Sequence, residues 1–278
     1  MNIPQHWHRA QRGEFFGWGW SSENEAAARD MAESQLANIE QLHAAGELRE
    51  RQRRYYSDRP MREPVLREFH AADGTLAALV TRNSYGCLVL NTARALFVDV
   101  DFPETPPASA GLLGRIFGKK SAPPPDHATV ALEKAAAWAA SRPGWSWRAY
   151  RTRAGLRLLA THALFEAGSP EVTAVFDALG ADPLYRKLCV AQRCFRARLT
   201  PKPWRCGHFA CPVRWPWNDA EDERGFAAWQ EDYTESCKTH ATTELAAEPG
   251  ARAVHPDVAP LIEFHDSVTR CGSALPLA

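Results

Sequence analysis

The chain has 278 residues, 45% of them hydrophobic and 24% charged, with 33 basic side chains against 33 acidic ones and no formal net charge. That composition belongs to a soluble globular protein long enough to bury a real core. It excludes a global field drawing the protein to nucleic acid or membrane, so any anion site is local.

The N-terminal MNIPQHWHRA has no apolar core of signal-peptide length, and no run of about 18 apolar residues occurs anywhere. The expectation is a cytoplasmic protein with no membrane partner. Seven cysteines, an odd and scattered set, read as reduced thiols rather than a disulfide framework. Ten tryptophans are many for this length. Rigid packing is their ordinary use, base stacking the sharper one. Nothing marks a second domain, so 1–278 reads as one domain with an N-terminal αβ elaboration (1–94), a core (95–205) and a C-terminal extension (206–278).

In chain order, FFGWGW at 15–20 reads as a short strand with its aromatics on one face. Ser22, three residues before Glu25, forms a capping-box pattern for a long amphipathic helix over 23–45, stopped by Gly46. The segment 47–64 is dense in arginine and holds Tyr55 and Tyr56. It is a salt-bridged connector or an anion-contacting patch. Residues 65–70 read as a helical turn, Asp73-Gly74 as a tight turn, 75–82 and 87–92 as strands around the turn 83–86, and 95–102 as a third strand of the same run, with the first helix covering one face. The Pro-rich stretch 103–125 is a loop. Its GRIFGKKS resembles a phosphate loop, but Leu113 and Lys120 stand where that motif needs Gly and Ser or Thr.

Asp126 caps an Ala-rich helix to 141. Residues 145–152 and 156–165 form a hairpin around Arg153-Ala154-Gly155. Ser169-Pro170 and Asp182-Pro183 each start a helix with a cap followed by proline at the first helical position, and 194–200 is a strand. Further on, 225–237 and 256–270 read as helices.

The core is thus α+β, in the βαββαβ order of an RRM-like palm, with first, third and last strands expected side by side on one sheet. Asp99 and Asp101 share a strand face. Arg157 starts the third strand, Arg196 and Arg198 share a face of the last, and Lys202 and Arg205 follow. Two carboxylates suit a hard divalent cation, Mg²⁺ or Mn²⁺, and guanidinium and ammonium groups suit phosphate.

On these residues the chain resembles the archaeo-eukaryotic primase–polymerase superfamily. FVDVD at 97–101 matches its Asp-x-Asp strand. YRTRAGLRLL at 150–159 stands at its second motif, with Gly155 matching and Arg157 in place of the nucleotide-binding His. The Lys202 and Arg205 cluster is similar to one in some members. The resemblance covers about 95–205 and implies a nucleotide or nucleic-acid partner. It also implies nucleotidyl transfer, with Asp99 and Asp101 as catalytic metal ligands and Arg157, Arg196, Arg198, Lys202 and Arg205 as phosphate contacts. The family's third carboxylate is missing from the last strand, leaving Asp219 or Glu104 to supply it from a loop.

Blander roles compete. An Asp-x-Asp pair at a strand end caps loops or pairs with arginine elsewhere, Arg151 and Arg153 suit an exposed hairpin, and His162 suits a hydrogen-bonded, semi-buried place. Cys206, His208 and Cys211 lack a partner CxxC, so zinc would need His240, Cys237 or Cys271 in space and is not expected. The other function class is a catalytically silent interaction protein on the same fold, with the Trp-rich C-terminal region as its contact surface.

Overall fold

A computed structural model describes residues 1–46, 60–103 and 126–278. Glu104, the phosphate-loop look-alike and Tyr55 and Tyr56 lie outside the described residues. Among those described, the chain is a mixed α+β protein with six α-helices and three antiparallel sheets. No helix among them is long and apolar enough to cross a membrane.

The first sheet is a hairpin of β1 (His6–Arg12) and β2 (Phe15–Ser21). On β2 the aromatics Phe16, Trp18 and Trp20 alternate with Gly17 and Gly19, which face α1 (Glu25–Ala44). The glycines are there for space: a Cβ on Gly19 would lie 2.0 Å from the Ala28 carbonyl oxygen and 2.2 Å from the Ala32 nitrogen. The helix therefore beds its Ala28, Ala32 and Leu36 stripe directly on hairpin backbone. It covers this hairpin, whereas the sequence reading places it over the strands that follow. Its cap is Asn24, whose side chain accepts from Ala27 N, rather than Ser22.

The second sheet has the order β3-β4-β5-β9, with β3 (Val65–His70), β4 (Leu76–Arg82), β5 (Leu88–Thr92) and β9 (Phe195–Arg198). Residues 65–70 are thus an edge strand and not a helical turn.

The third sheet has the order β10-β7-β8-β6, with β6 (Phe97–Asp101), β7 (Trp147–Thr152), β8 (Gly155–Ala160) and β10 (Glu244–Ala247). β6 therefore leaves the run it follows in sequence. Helices α2 (His127–Ala140) and α3 (Pro170–Leu179) bury Ala131, Ala135, Trp138, Val172, Val175 and Phe176 in the core that includes Trp147 and Ala149. Asp126, Ser169 and Asp182 are observed as N-caps, the last of α4 (Pro183–Gln192).

The expected last strand of the unit, β9, does not join β6. It pairs with β5, and a buried ion pair helps hold it in that sheet: Arg196 Nη2 donates to both Glu63 oxygens at 2.7 and 2.9 Å. The two sheets meet at Tyr185 of α4. Its buried hydroxyl donates to Phe97 O on β6 at 2.8 Å and accepts from Arg196 N on β9 at 3.3 Å. That hydroxyl stands in for the ladder bond the two strands do not make. The C-terminal extension adds α5 (Ala220–Cys237) and α6 (Ala259–Thr269). α6 reaches both sheets, its Phe264 ring 4.9 Å from Phe69 on β3 and its His265 ring 4.7 Å from Tyr150 on β7.

Candidate functional site

The register of the third sheet places Asp99, Arg157 and Tyr150 in one cross-strand row, on the face that meets α6. Arg157 is 2% exposed, which demands partners for every part of its charge. Its Nε donates to Asp99 Oδ1 at 2.9 Å, and one Nη donates to the Arg198 carbonyl on β9 at 2.8 Å and lies 3.5 Å from His265 Nε2. His265 is fully buried, and its Nδ1 lies 2.9 Å from Asp266 Oδ1. Burial pushes the imidazole toward its neutral form. Neutral, with its proton on Nδ1, it offers Nε2 to Arg157. Burial raises Asp266, but hydrogen bonds from His265 and Tyr150 and the charge of Arg148 bring its carboxyl below the usual value. Arg148, bonded to Glu248 and Asp266, closes this chain of charges.

One step toward the open end of β6, Asp101 is exposed at the rim. Desolvation raises its pKa, and the neighbouring Asp99 and Asp182 carboxylates raise it further, while Lys202 and Arg198 act in the opposite sense. Asp182 comes close because its backbone N–H bonds Asp99 O at 2.9 Å. Sequence reasoning saw Asp182 only as a helix cap, and nothing local signals its place beside the Asp-x-Asp pair.

Opposite these carboxylates, β9 and its exit bring Arg198, Lys202 and Arg205. Arg198 has a buried Nε with no hydrogen-bond partner among the described residues. Burial and then the Arg157 charge pull its pKa down. Lys202 is lowered by burial, then by Arg198 and Arg205. Among the described residues neither Lys202 nor Arg205 is ion-paired. The structure therefore gathers Asp99, Asp101, Arg157, Arg198, Lys202 and Arg205, and leaves out Arg196. Although Arg196 shares a strand with Arg198, Glu63 holds it in a buried network with Thr81 and Asn91. It positions β9 and cannot reach a phosphate. Asp219, offered as a third carboxylate, instead caps α5 through Glu221 N and Asp222 N.

Among the described residues no group of three or more His, Cys, Asp and Glu is placed to hold a metal ion. Two carboxylates do fit Mg²⁺, which is commonly bound through one or two carboxylates plus substrate phosphates and water. Asp99 has Oδ1 engaged by Arg157 and, among the described residues, no hydrogen bond at Oδ2, and the crowding that raises Asp101 is the kind a cation relieves.

The Trp-rich extension mainly packs. Trp229 is 3% exposed and stacks on Tyr233 at 4.7 Å, Trp217 lies 4.5 Å from Phe226, and Trp215 lies 6.4 Å from Trp7. His208 stacks on Trp229 and Tyr233, with Cys206 packed in the same cluster. His162 is half-buried at the Ser146 amide, and burial lowers its pKa.

No family model, curated protein or solved structure matches this chain.

Proposed function

We propose that the chain binds a nucleotide or a nucleic-acid end together with a divalent cation, Mg²⁺ or Mn²⁺, in the cleft between the second and third sheets, and that nucleotidyl transfer is the chemistry this site serves. The observation that carries the reading is the approach of Arg198 and Lys202, with Arg205 beside them, to the strand-end carboxylates, while none of the three is ion-paired among the described residues. A polyphosphate satisfies both sides. The strand order β7-β8-β6, with α2 connecting β6 to β7, supports an RRM-like palm from which β9 has moved to the neighbouring sheet.

Asp99 and Asp101 would hold the cation, which would supply positive charge to offset that of a transferred phosphoryl group. Arg198, Lys202 and Arg205 would hold the phosphate oxygens that remain. Arg157 does not meet the ligand first. It fixes Asp99 in place and is itself held by His265.

Asp101→Asn is the cleaner probe, because Asp99→Ala would leave Arg157 as a buried charge without its carboxylate. Asp101's folded pKa lies above its unfolded one. Ionisation therefore costs stability above that pKa, and the cost is relieved as pH falls through it. Asp101→Asn should melt at or above the wild-type temperature at neutral pH, with the difference vanishing on acidification. In calorimetric titration with ATP or GTP, the wild type should bind with Mg²⁺ or Mn²⁺ and not in EDTA. Asp101→Asn should lose about tenfold or more in affinity, the loss of one charge-assisted contact. Absence of binding under either metal, or unchanged binding by a folded Asp101→Asn protein, overturns the proposal.

A further inference from the structure

Three of the four strongly exposed large aromatics among the described residues lie at one corner: Tyr85 at 47%, Trp204 at 51% and Phe209 at 62%. Apolar rings scattered singly on a surface need no explanation. Here two of them, 119 residues apart in sequence by their numbers, form an edge-to-face pair with centroids 5.2 Å apart and planes at 89°. Such a contact covers at most one face of one ring. Beside them, Lys202 Nζ lies 5.7 Å from the Trp204 ring centroid. Lys202 is the same side chain whose charge acts on Asp101.

Both rings sit on short, braced turns. Tyr85 is at the tip of the β4–β5 turn, where Asn83 Oδ1 accepts from Tyr85 N and Cys87 N and Arg82 donates to Gly86 O at 2.6 Å. Gly86 has φ +87°, and a Cβ there would strike the Trp229 ring at 2.0 Å, so only glycine fits. Trp204 is the middle residue of a 3₁₀ turn (Pro203–Arg205), opened by Pro203 and closed by Arg205 N donating to Lys202 O at 2.8 Å. The turns are neighbours because β5 and β9 pair: Leu199 N donates to Leu88 O, and Leu88 N donates to Thr200 Oγ1. The rings are therefore held in place before any ligand arrives, which reduces the ordering cost of binding.

We infer that Tyr85 and Trp204, with Lys202 and Arg205, form a stacking platform for an unpaired strand of nucleic acid that leads into the carboxylate cleft. The inference deepens the function proposed above and rests on it for the direction the strand takes. An apolar protein partner would want the rings bordered by aliphatic side chains; these are bordered by unpaired cations. Flat faces beside ammonium and guanidinium groups suit alternating bases and phosphates. Bases in a duplex are already stacked and paired, so a single strand is the form that fits. The protein's zero net charge leaves this local cluster as the source of attraction.

The test is fluorescence anisotropy with labelled oligothymidylate and oligouridylate of about 12 nucleotides, within the usual range for one such groove, and with a duplex of equal length, all in EDTA. The wild type should bind the single strands and bind the duplex much more weakly. Trp204→Ala and Tyr85→Ala should each weaken single-strand binding roughly tenfold, while Trp204→Phe retains most of it. Lys202→Gln should flatten the dependence of log affinity on log salt by about 0.7, the release of one counterion from a single strand. Equal affinity for DNA and RNA places recognition on bases and phosphates, as inferred; binding that requires the ribose hydroxyl overturns the stacking account. Wild-type affinity in both alanine variants, or no oligonucleotide binding at all, also overturns it. Triphosphate titration separates the two proposals. Triphosphate bound without oligonucleotide sinks only the platform. Oligonucleotide bound through Trp204 without metal-dependent triphosphate sinks only the cleft.

Discussion

The Glu63–Arg196 network and the Arg198–Lys202 corner are both built on β9 and its exit, with their arginines two residues apart. The first is closed by an ion pair, although Arg196 Nη1 and Asn91 Oδ1 are left without a hydrogen bond among the described residues. Glu63 is 1% exposed and takes two bonds from Arg196 and one from Thr81, and Thr81 in turn accepts from Asn91. The second has cations with no carboxylate paired to them among the described residues, and Arg198 Nε, like Arg196 Nη1, is buried with nothing to bond. A buried charge paired with a carboxylate holds structure. A half-buried charge left unbonded at a cleft is expensive unless something arrives to bond it. Residue type and strand position alone make the two arginines equivalent, and only their surroundings separate them.

The contrast breaks most visibly on the closed side. Glu63→Ala strands the Arg196 guanidinium and should cost about 3–5 kcal/mol, read as a drop in urea midpoint at unchanged slope. The double variant Glu63→Leu, Arg196→Met should recover most of that loss. A single variant as stable as wild type would show that the pair does not hold β9. Next in size is the seam between the sheets. Tyr185→Phe leaves Phe97 O and Arg196 N without their shared partner and should cost about 1–3 kcal/mol, measured in the same way, with amide exchange accelerating at Arg196. Smallest in stability is Arg198→Met, expected within about 0.5 kcal/mol of wild type or slightly above it, because it removes a desolvated charge without stranding a partner. Its effect should instead appear as lost triphosphate affinity. A large stability loss for Arg198→Met would mean that the two arginines are alike after all.

Much of this was legible in the sequence where local rules decide. Asp126, Ser169-Pro170 and Asp182-Pro183 announce helix starts because capping chemistry acts within four residues. The alternating 147–152 and its return around Gly155 announce a hairpin. What misled was tertiary. HWHRAQR has too little apolar alternation to read as a strand, and VLREFH looks as helical as extended; β1 and β3 exist because β2 and β4 offer them edges. The departure of β9 from β6 is helped by Glu63 and Arg196, 133 positions apart. At the site, the Asp-x-Asp strand and the basic exit were visible as motifs. Asp182, His265 and Tyr85 were not, since each reaches the cleft or its rim on an element whose own pattern speaks only of caps, helix faces or turns.

The single hydroxyl of Tyr185 has a mechanical meaning. The carboxylates Asp99 and Asp101 ride on the β6 sheet, and Arg198 and Lys202 ride on β9 and its exit, while the strands between them share no backbone ladder. Tyr185 and the Arg157 bond to the Arg198 carbonyl tie the two sides together through side chains rather than through a sheet. A ligand held from both sides would act as a strut across the seam, so the strength of the seam and the affinity for that ligand should rise and fall together.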